Sequence, residues 1–162
     1  MPNPFARSRW FHKLANVSGM PIIFRLLPVP RGFALLRVRG RRTGKLRDRP
    51  IRAIRQGATL YAVAILGERS DWLRNARANS RVRVKLGART RDAAVREIAD
   101  PAERDKATEL YVRTVLPYDY FDVPLVEWTF PTRRKIVQSH EKWLVGGVMV
   151  AIELEAADGQ QT

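Results

Sequence analysis

Phe33-Ala-Leu-Leu-Arg-Val-Arg-Gly-Arg-Arg-Thr-Gly-Lys-Leu-Arg-Asp-Arg-Pro-Ile-Arg-Ala-Ile-Arg55 decides the fold. Residues 33–40 read as one strand, and residues 48–55, with the same period of two, as its antiparallel partner. Gly44 stands near the turn, where a backbone without Cβ takes positive φ and approaches a ligand closely. The turn is also the most basic part of the chain. Arg41, Arg42, Lys45 and Arg47 crowd it, with Thr43 adding a hydroxyl.

Outward from this hairpin the period of two continues. Gln56-Gly57 turns the chain into an apolar strand at residues 59–66, which Gly67 ends. Ser70 or Asp71 caps a short helix through Ala78, with Trp72, Asn75 and Ala76 at i, i+3 and i+4. Residues 82–86 and 90–98 alternate as two further strands. Asp100-Pro101 opens a helix to about Val115, since proline is tolerated in the first turn, and Pro117 ends it. Residues 118–128 read as an irregular aromatic stretch, residues 131–144 as helical and residues 147–155 as a last strand. Sequential antiparallel strands with one late strand do not suggest βαβ winding. The expected class is α+β, mainly β: a small antiparallel barrel with flanking helices.

Before the barrel, residues 4–27 mix aromatic, aliphatic and basic side chains at roughly helical spacing. Phe5, Trp10, Phe11, Leu14 and Val17 could share one stripe, and Pro21, Pro28 and Pro30 divide the segment into two short helical pieces. The expected organisation is therefore an N-terminal basic, aromatic segment over residues 1–30, a barrel over residues 31–156 and a frayed tail over residues 157–162.

The 162 residues suit one domain with a real core. The absence of cysteine excludes disulfides and thiolate metal sites, and two histidines make a histidine-rich metal site a poor reading. No run of eighteen apolar residues occurs and no secretory signal pattern opens the chain, so a cytoplasmic location is expected. Charge is lopsided. Residues 1–55 hold fourteen Lys and Arg against one acid, Asp48, so most of the formal +14 lies in the first third. Such a field favours nucleic acid, an acidic lipid surface or a polyanionic small molecule.

Among these, the hairpin favours a phosphate- or carboxylate-bearing ligand, because its Arg forks and exposed N–H groups share one turn without acidic neighbours. Nucleic acid is the weaker reading, since no groove-reading helix or base-stacking aromatic pair is evident. His12 and His140 find no partner by spacing, so surface or structural roles are expected. The alternation Arg81-Val-Arg-Val-Lys85 reads as the solvent side of a half-buried strand.

The residues 36–47, then Pro50-Ile51, then Gly67-x-x-x-x-Trp72-x-x-Asn75-x-x-Ala78-Asn79 closely resemble the deazaflavin-dependent nitroreductase family, split β-barrel oxidoreductases that use coenzyme F420. The likeness spans about residues 33–99, and its three motifs keep their order and spacing. It implies that Arg41, Arg42, Thr43, Gly44, Lys45 and Arg47 hold the phosphate and oligoglutamate tail. It further implies that Pro50, Ala64, Ile65, Trp72 and Asn75 border the deazaflavin, largely through backbone groups, although Trp72 could equally be core. Glu68-Arg-Ser-Asp71 departs from the Gly- or Pro-rich residues of relatives, placing a negative charge near the ring.

The implied reaction is hydride transfer to a quinone, an enone or a nitro-type electrophile, with the cofactor supplying the chemistry. Tyr118 and Tyr120 lie where the family places substrate-lining aromatics and are the candidate catalytic residues; Phe121, Trp128 and Tyr111 are weaker ones. The same barrel holding FMN, haem or a lipid is the alternative. The expected partner is a hydrophobic small-molecule substrate, and residues 5–27 either dock on an acidic membrane face or pack across the barrel mouth and cover the pocket. The chain is read as a monomer or a homodimer, with no metal.

Overall fold

The computed structural model describes residues 19–127 and 130–156. Six strands, β1 (Phe33–Arg39), β2 (Leu46–Gln56), β3 (Thr59–Ala64), β4 (Arg81–Leu86), β5 (Arg89–Glu97) and β6 (Val148–Leu154), close into one barrel in the order β1-β2-β3-β6-β5-β4. Every pairing is antiparallel. The last strand enters between β3 and β5, so closure waits for the C-terminal part of the chain. A closed barrel leaves no edge strand to pair with another molecule.

Alternation sorts the side chains. Ala34, Leu36 and Val38 of β1, Ile51 and Ala53 of β2, and Leu60, Ala62 and Ala64 of β3 point inward and are buried. The many alanines keep the interior narrow. A short helix, α2 (Asp71–Ala78), follows a single 3-10 turn at Gly67–Arg69 and drives Trp72, Leu73 and Ala76 into that interior. It therefore plugs the barrel.

Two longer helices cover the outer face of β2, β3 and β6. Helix α3 (Pro101–Arg113) starts as read, with Asp100 accepting from the backbone N–H of Ala102 and Glu103. Helix α5 (Arg133–Leu144) starts at Thr132, whose hydroxyl accepts from Lys135. Between them Ile54, Val63, Tyr111 and Trp143 form a second apolar cluster, and Tyr61, Ile98, Ala107 and Ala151 a third. Helix α1 (Met20–Leu26) packs Phe24 against Phe33 and Leu35 of β1.

Most expected elements are present, with β2 longer and β3 shorter than read. One reading is corrected. The stretch after Pro117 is a helix, α4 (Asp119–Glu127), despite Pro124 inside it. Leu116 C=O accepts from Asp119 N–H, Asp119 Oδ2 accepts from Leu116 N–H, and Tyr118 C=O accepts from Phe121 N–H, so a pinned turn nucleates the helix. Burial of Val123 offsets the bond lost at the proline. The expected aromatic stripe at Phe5 to Val17 and the expected frayed tail lie outside the described residues.

Leu36 is fully buried at the barrel centre. Leu36→Ala is expected to lower unfolding free energy by about 2–5 kcal/mol, read as a shifted urea midpoint with an unchanged slope.

Candidate functional site

The β1–β2 hairpin ends in a loop closed by two backbone bonds, Gly40 N–H to Lys45 C=O and Gly44 N–H to Gly40 C=O, each 2.8 Å. Gly44 has φ of 65°, as its place in the turn requires. A Cβ at Gly40 would lie only 3.2 Å from both Lys45 C=O and Thr43 Oγ1, so the loop is packed against itself at its root. Arg39 Nη1 also donates to Gly44 C=O at 3.1 Å.

This loop faces the start of α2 across a cleft of about 230 Å³, lined by Gly40, Arg41, Arg42, Thr43, Arg47, Asp71 and Asn75. Asn75 is buried, and its Oδ1 accepts from the Arg41 backbone N–H at 3.2 Å and from Arg41 Nη1 at 2.8 Å. It thus ties the hairpin to the barrel plug. Asp71 pairs with Arg41 at 3.3 Å and with Arg74 at 3.0 Å, so its charge, flagged above as a departure, is neutralised at the cleft rim.

The remaining cations are left over. The one acid of the hairpin, Asp48, takes both oxygens to Arg37, at 2.6 and 2.8 Å, and that hydrogen bonding holds its carboxyl below the usual range despite partial burial. Strand alternation puts Asp48 and Arg37 on the face opposite Arg47. Among the described residues, Arg42, Lys45 and Arg47 form no ion pair. Three exposed cations without an ion pair, on a glycine-bearing loop, have the charge and donor chemistry that suits an anion.

Polar chemistry also gathers on the outer face of β2, from which the sequence singles out Tyr118, Tyr111 and His140 but neither Arg52 nor Asp119. Arg52 is buried beneath α3 and α5. Its Nη1 donates to Asp119 Oδ1 at 2.7 Å and to Tyr118 Oη at 3.1 Å, while Nη2 donates to the carbonyls of Thr114 and Tyr111. Asp119 is fully buried and lies 3.6 Å from His140 Nε2, an ion-pair distance too long for a hydrogen bond. His140 Nδ1 sits 2.9 Å from the Val112 carbonyl, which can only accept, so Nδ1 carries a hydrogen and donates it.

Burial pushes the Asp119 carboxyl up, but His140, Arg52 and the Leu116 N–H together outweigh it and hold it below its ordinary value. Burial pushes the Tyr118 hydroxyl well up, against the opposing Arg52 cation, so it stays protonated at neutral pH. His140 therefore has a buried partner that spacing did not reveal, since Asp119 is 21 residues away and no periodicity links them.

The structure brings Arg41, Arg42, Thr43, Arg47 and Asn75 to one cleft, with Gly44 and Lys45 in the same loop. Pro50 is half-buried in the ladder opposite Leu35. Ala64 and Trp72 are core residues of the barrel interior, and Ile65 packs with the outer cluster of Ile54 and Trp143. Tyr118 stacks on Phe33 with ring centroids 4.1 Å apart, Tyr120 is exposed on α4, and Phe121 is more so. Tyr111 is buried against Arg52, while Trp128 and His12 lie outside the described residues.

The six-strand antiparallel barrel with flanking helices is a fold shared with solved split-barrel reductases. A solved F420-H2 dependent reductase (FDR-A) superposes with a TM-score of 0.52 at 20% identity, covering 79% of this chain and 97% of that one. A structure described as a domain-swapped dimer superposes at 0.55 with 17% identity, covering 90% and 96%. Residues 8–123 match the F420H2-dependent quinone reductase family, and the chain belongs to this family of oxidoreductases. No curated protein matches the sequence. No helix of the described residues is long and apolar enough to cross a membrane.

Asp119→Asn leaves Arg52 without its buried counter-charge, so it is expected to cost about 3–5 kcal/mol in urea unfolding. Because the folded carboxyl titrates below its unfolded value, its stabilisation is complete above about pH 4 and is lost as pH falls through the folded pKa. An acid-unfolding midpoint unchanged in the variant would contradict this.

Proposed function

We propose that this chain binds reduced coenzyme F420 and reduces a quinone-type acceptor, with enones and nitro compounds as further electrophiles. The observation that carries the reading is the set of unpaired cations Arg42, Lys45 and Arg47 on a glycine-bearing loop beside an open cleft. A phosphodiester followed by glutamate carboxylates matches that set in charge and in hydrogen-bonding type. Arg41 is less available, because Asn75 and Asp71 already hold it, and its part is to shape the loop.

When bound, the reduced deazaflavin supplies a hydride to the acceptor. The protein's contribution is to hold the cofactor, exclude water and furnish a proton. We assign the proton to Tyr118, whose hydroxyl remains protonated at neutral pH, and a contact at the substrate rim to the exposed Tyr120. Asn75 keeps the hairpin seated on α2, Trp72 and Ala64 support the barrel from within, and Pro50 and Ile65 are assigned to the border of the bound deazaflavin.

The test is a fluorescence titration of the full chain with F420. Arg42→Ala combined with Arg47→Ala is expected to weaken binding about tenfold or more, and the loss should shrink as salt rises. Arg41→Ala should cost less. Tight FMN binding without detectable F420 binding would overturn the assignment.

A lipophilic acceptor also suggests where the enzyme works: in the cytoplasm, at an acidic membrane face. Helix α1 leaves Ile22, Ile23 and Leu26 exposed beside Arg25, a mixture that suits a bilayer surface. Ile22→Ser with Leu26→Ser is expected to reduce pelleting with vesicles containing acidic phospholipid. Equal pelleting of the variant and the parent removes this contact.

A further inference from the structure

We infer that Arg52 is a positioning residue for Tyr118, fixing its hydroxyl as a hydrogen-bond donor toward the acceptor, and that Asp119 and His140 fix Arg52 in turn. The inference rests on the reading of the chain as a quinone reductase, and it concerns groups on the outer face of β2, away from the cationic cleft.

A guanidinium has donors and no acceptor. At 3.1 Å from Arg52 Nη1, the Tyr118 oxygen must therefore accept, and its own hydrogen points elsewhere. Among the described residues, no protein atom accepts that hydrogen. Tyr118 is half-buried, and Phe33 covers one face of its ring. The result is a hydroxyl with a fixed oxygen and an unspent proton.

Arg52 is itself over-determined. Helix α3 ends with carbonyls that have no partner in the helix. Arg52 Nη2 reaches those of Tyr111 and Thr114, and His140 Nδ1 reaches that of Val112. Asp119 then joins Arg52 at 2.7 Å and the Leu116 N–H at 2.7 Å, with His140 Nε2 on its other flank. Strand β2, the end of α3, the linker carrying Tyr118 and helix α5 thus meet at one guanidinium. A merely buried arginine would not require its fork to span three carbonyl and carboxylate partners and a tyrosine hydroxyl.

The chemistry balances. A quinone that takes up a hydride, which is one proton with two electrons, needs one further proton to become the quinol. Tyr118 Oη–H gives that proton to the reduced carbonyl oxygen, the O–H bond of tyrosine breaking as the O–H of the quinol forms. The tyrosinate left behind is stabilised by the adjacent Arg52 cation and is reprotonated by water.

The experiment uses the full chain with reduced F420 and a water-soluble naphthoquinone, measuring kcat, KM and F420 affinity. Tyr118→Phe is expected to lower kcat about a hundredfold, as loss of a positioned general acid does, with F420 affinity unchanged. Arg52→Lys, which keeps the charge and loses the fork, is expected to lower kcat at least tenfold. The double variant should be no slower than Tyr118→Phe alone, because Arg52 acts through Tyr118.

Multiplying losses in the double variant would make Arg52 an independent, structural contributor and overturn the inference. So would an unchanged kcat in either single variant. Should Arg52→Lys fail to fold by circular dichroism, Asp119→Asn in the presence and absence of Tyr118→Phe gives the same comparison. A parent protein that binds no F420 defeats the underlying reading instead, and is seen before any variant is made.

Discussion

The pleat of β2 is the constraint on which both polar centres depend. Successive side chains of a strand leave on opposite faces. Ile51 and Ala53 therefore fill the barrel, while Asp48, Arg52 and Ile54 face outward. Arg47 shares the inward parity but lies beyond the last filled layer, where it opens onto the cleft beside α2. One strand thus supplies a solvated cation, Arg47, near its start and a buried cation, Arg52, five residues further on. A slip of one residue in its pairing with β1 would exchange the two faces, burying Asp48 and exposing Ile51.

The two cations live under different electrostatics. Removing a guanidinium and a carboxylate from water costs several kcal/mol each, and their attraction offsets this only with good geometry and full hydrogen bonding. Arg52 and Asp119 meet the first through their 2.7 Å contact and most of the second through the carbonyls of α3 and the Leu116 N–H, Arg52 Nε alone being left without a partner among the described residues. A leucine and a methionine could fill the same volume at comparable stability. They could not cap α3 or hold a tyrosine oxygen. That difference argues for a selected geometry in place of a selected stability.

Legibility followed locality. The hairpin, the Asp100 cap and the α2 helix were readable because alternation, capping and glycine act over a few residues. The cationic loop was readable for the same reason, its residues being consecutive. The Arg52 centre was not. Its members come from residues 52, 111–119 and 140, joined only when β6 closes the barrel and lays α3 and α5 over β2. Alternation alone makes Arg52 an outward, solvent-facing residue, and nothing local says that a helix will cover it. The irregular reading of residues 118–128 failed similarly, since Pro124 outweighs the local signals until the Asp119 contacts are known.

Separating the anchor from the donor has a physical use. Exposed cations hold a flexible, highly charged tail with an affinity that salt can tune, because counter-ions compete within a Debye length of about 10 Å. A proton donor under the same screening would see its environment change with every ion that entered. Half-buried beside Arg52, Tyr118 is partly shielded from that exchange, and its oxygen stays held by the guanidinium while the cofactor comes and goes. Binding strength at the hairpin can then vary without altering the proton transfer. For this reason the unpaired cations of the loop and Arg52, engaged through both Nη atoms, are assigned to different steps of the proposed reaction.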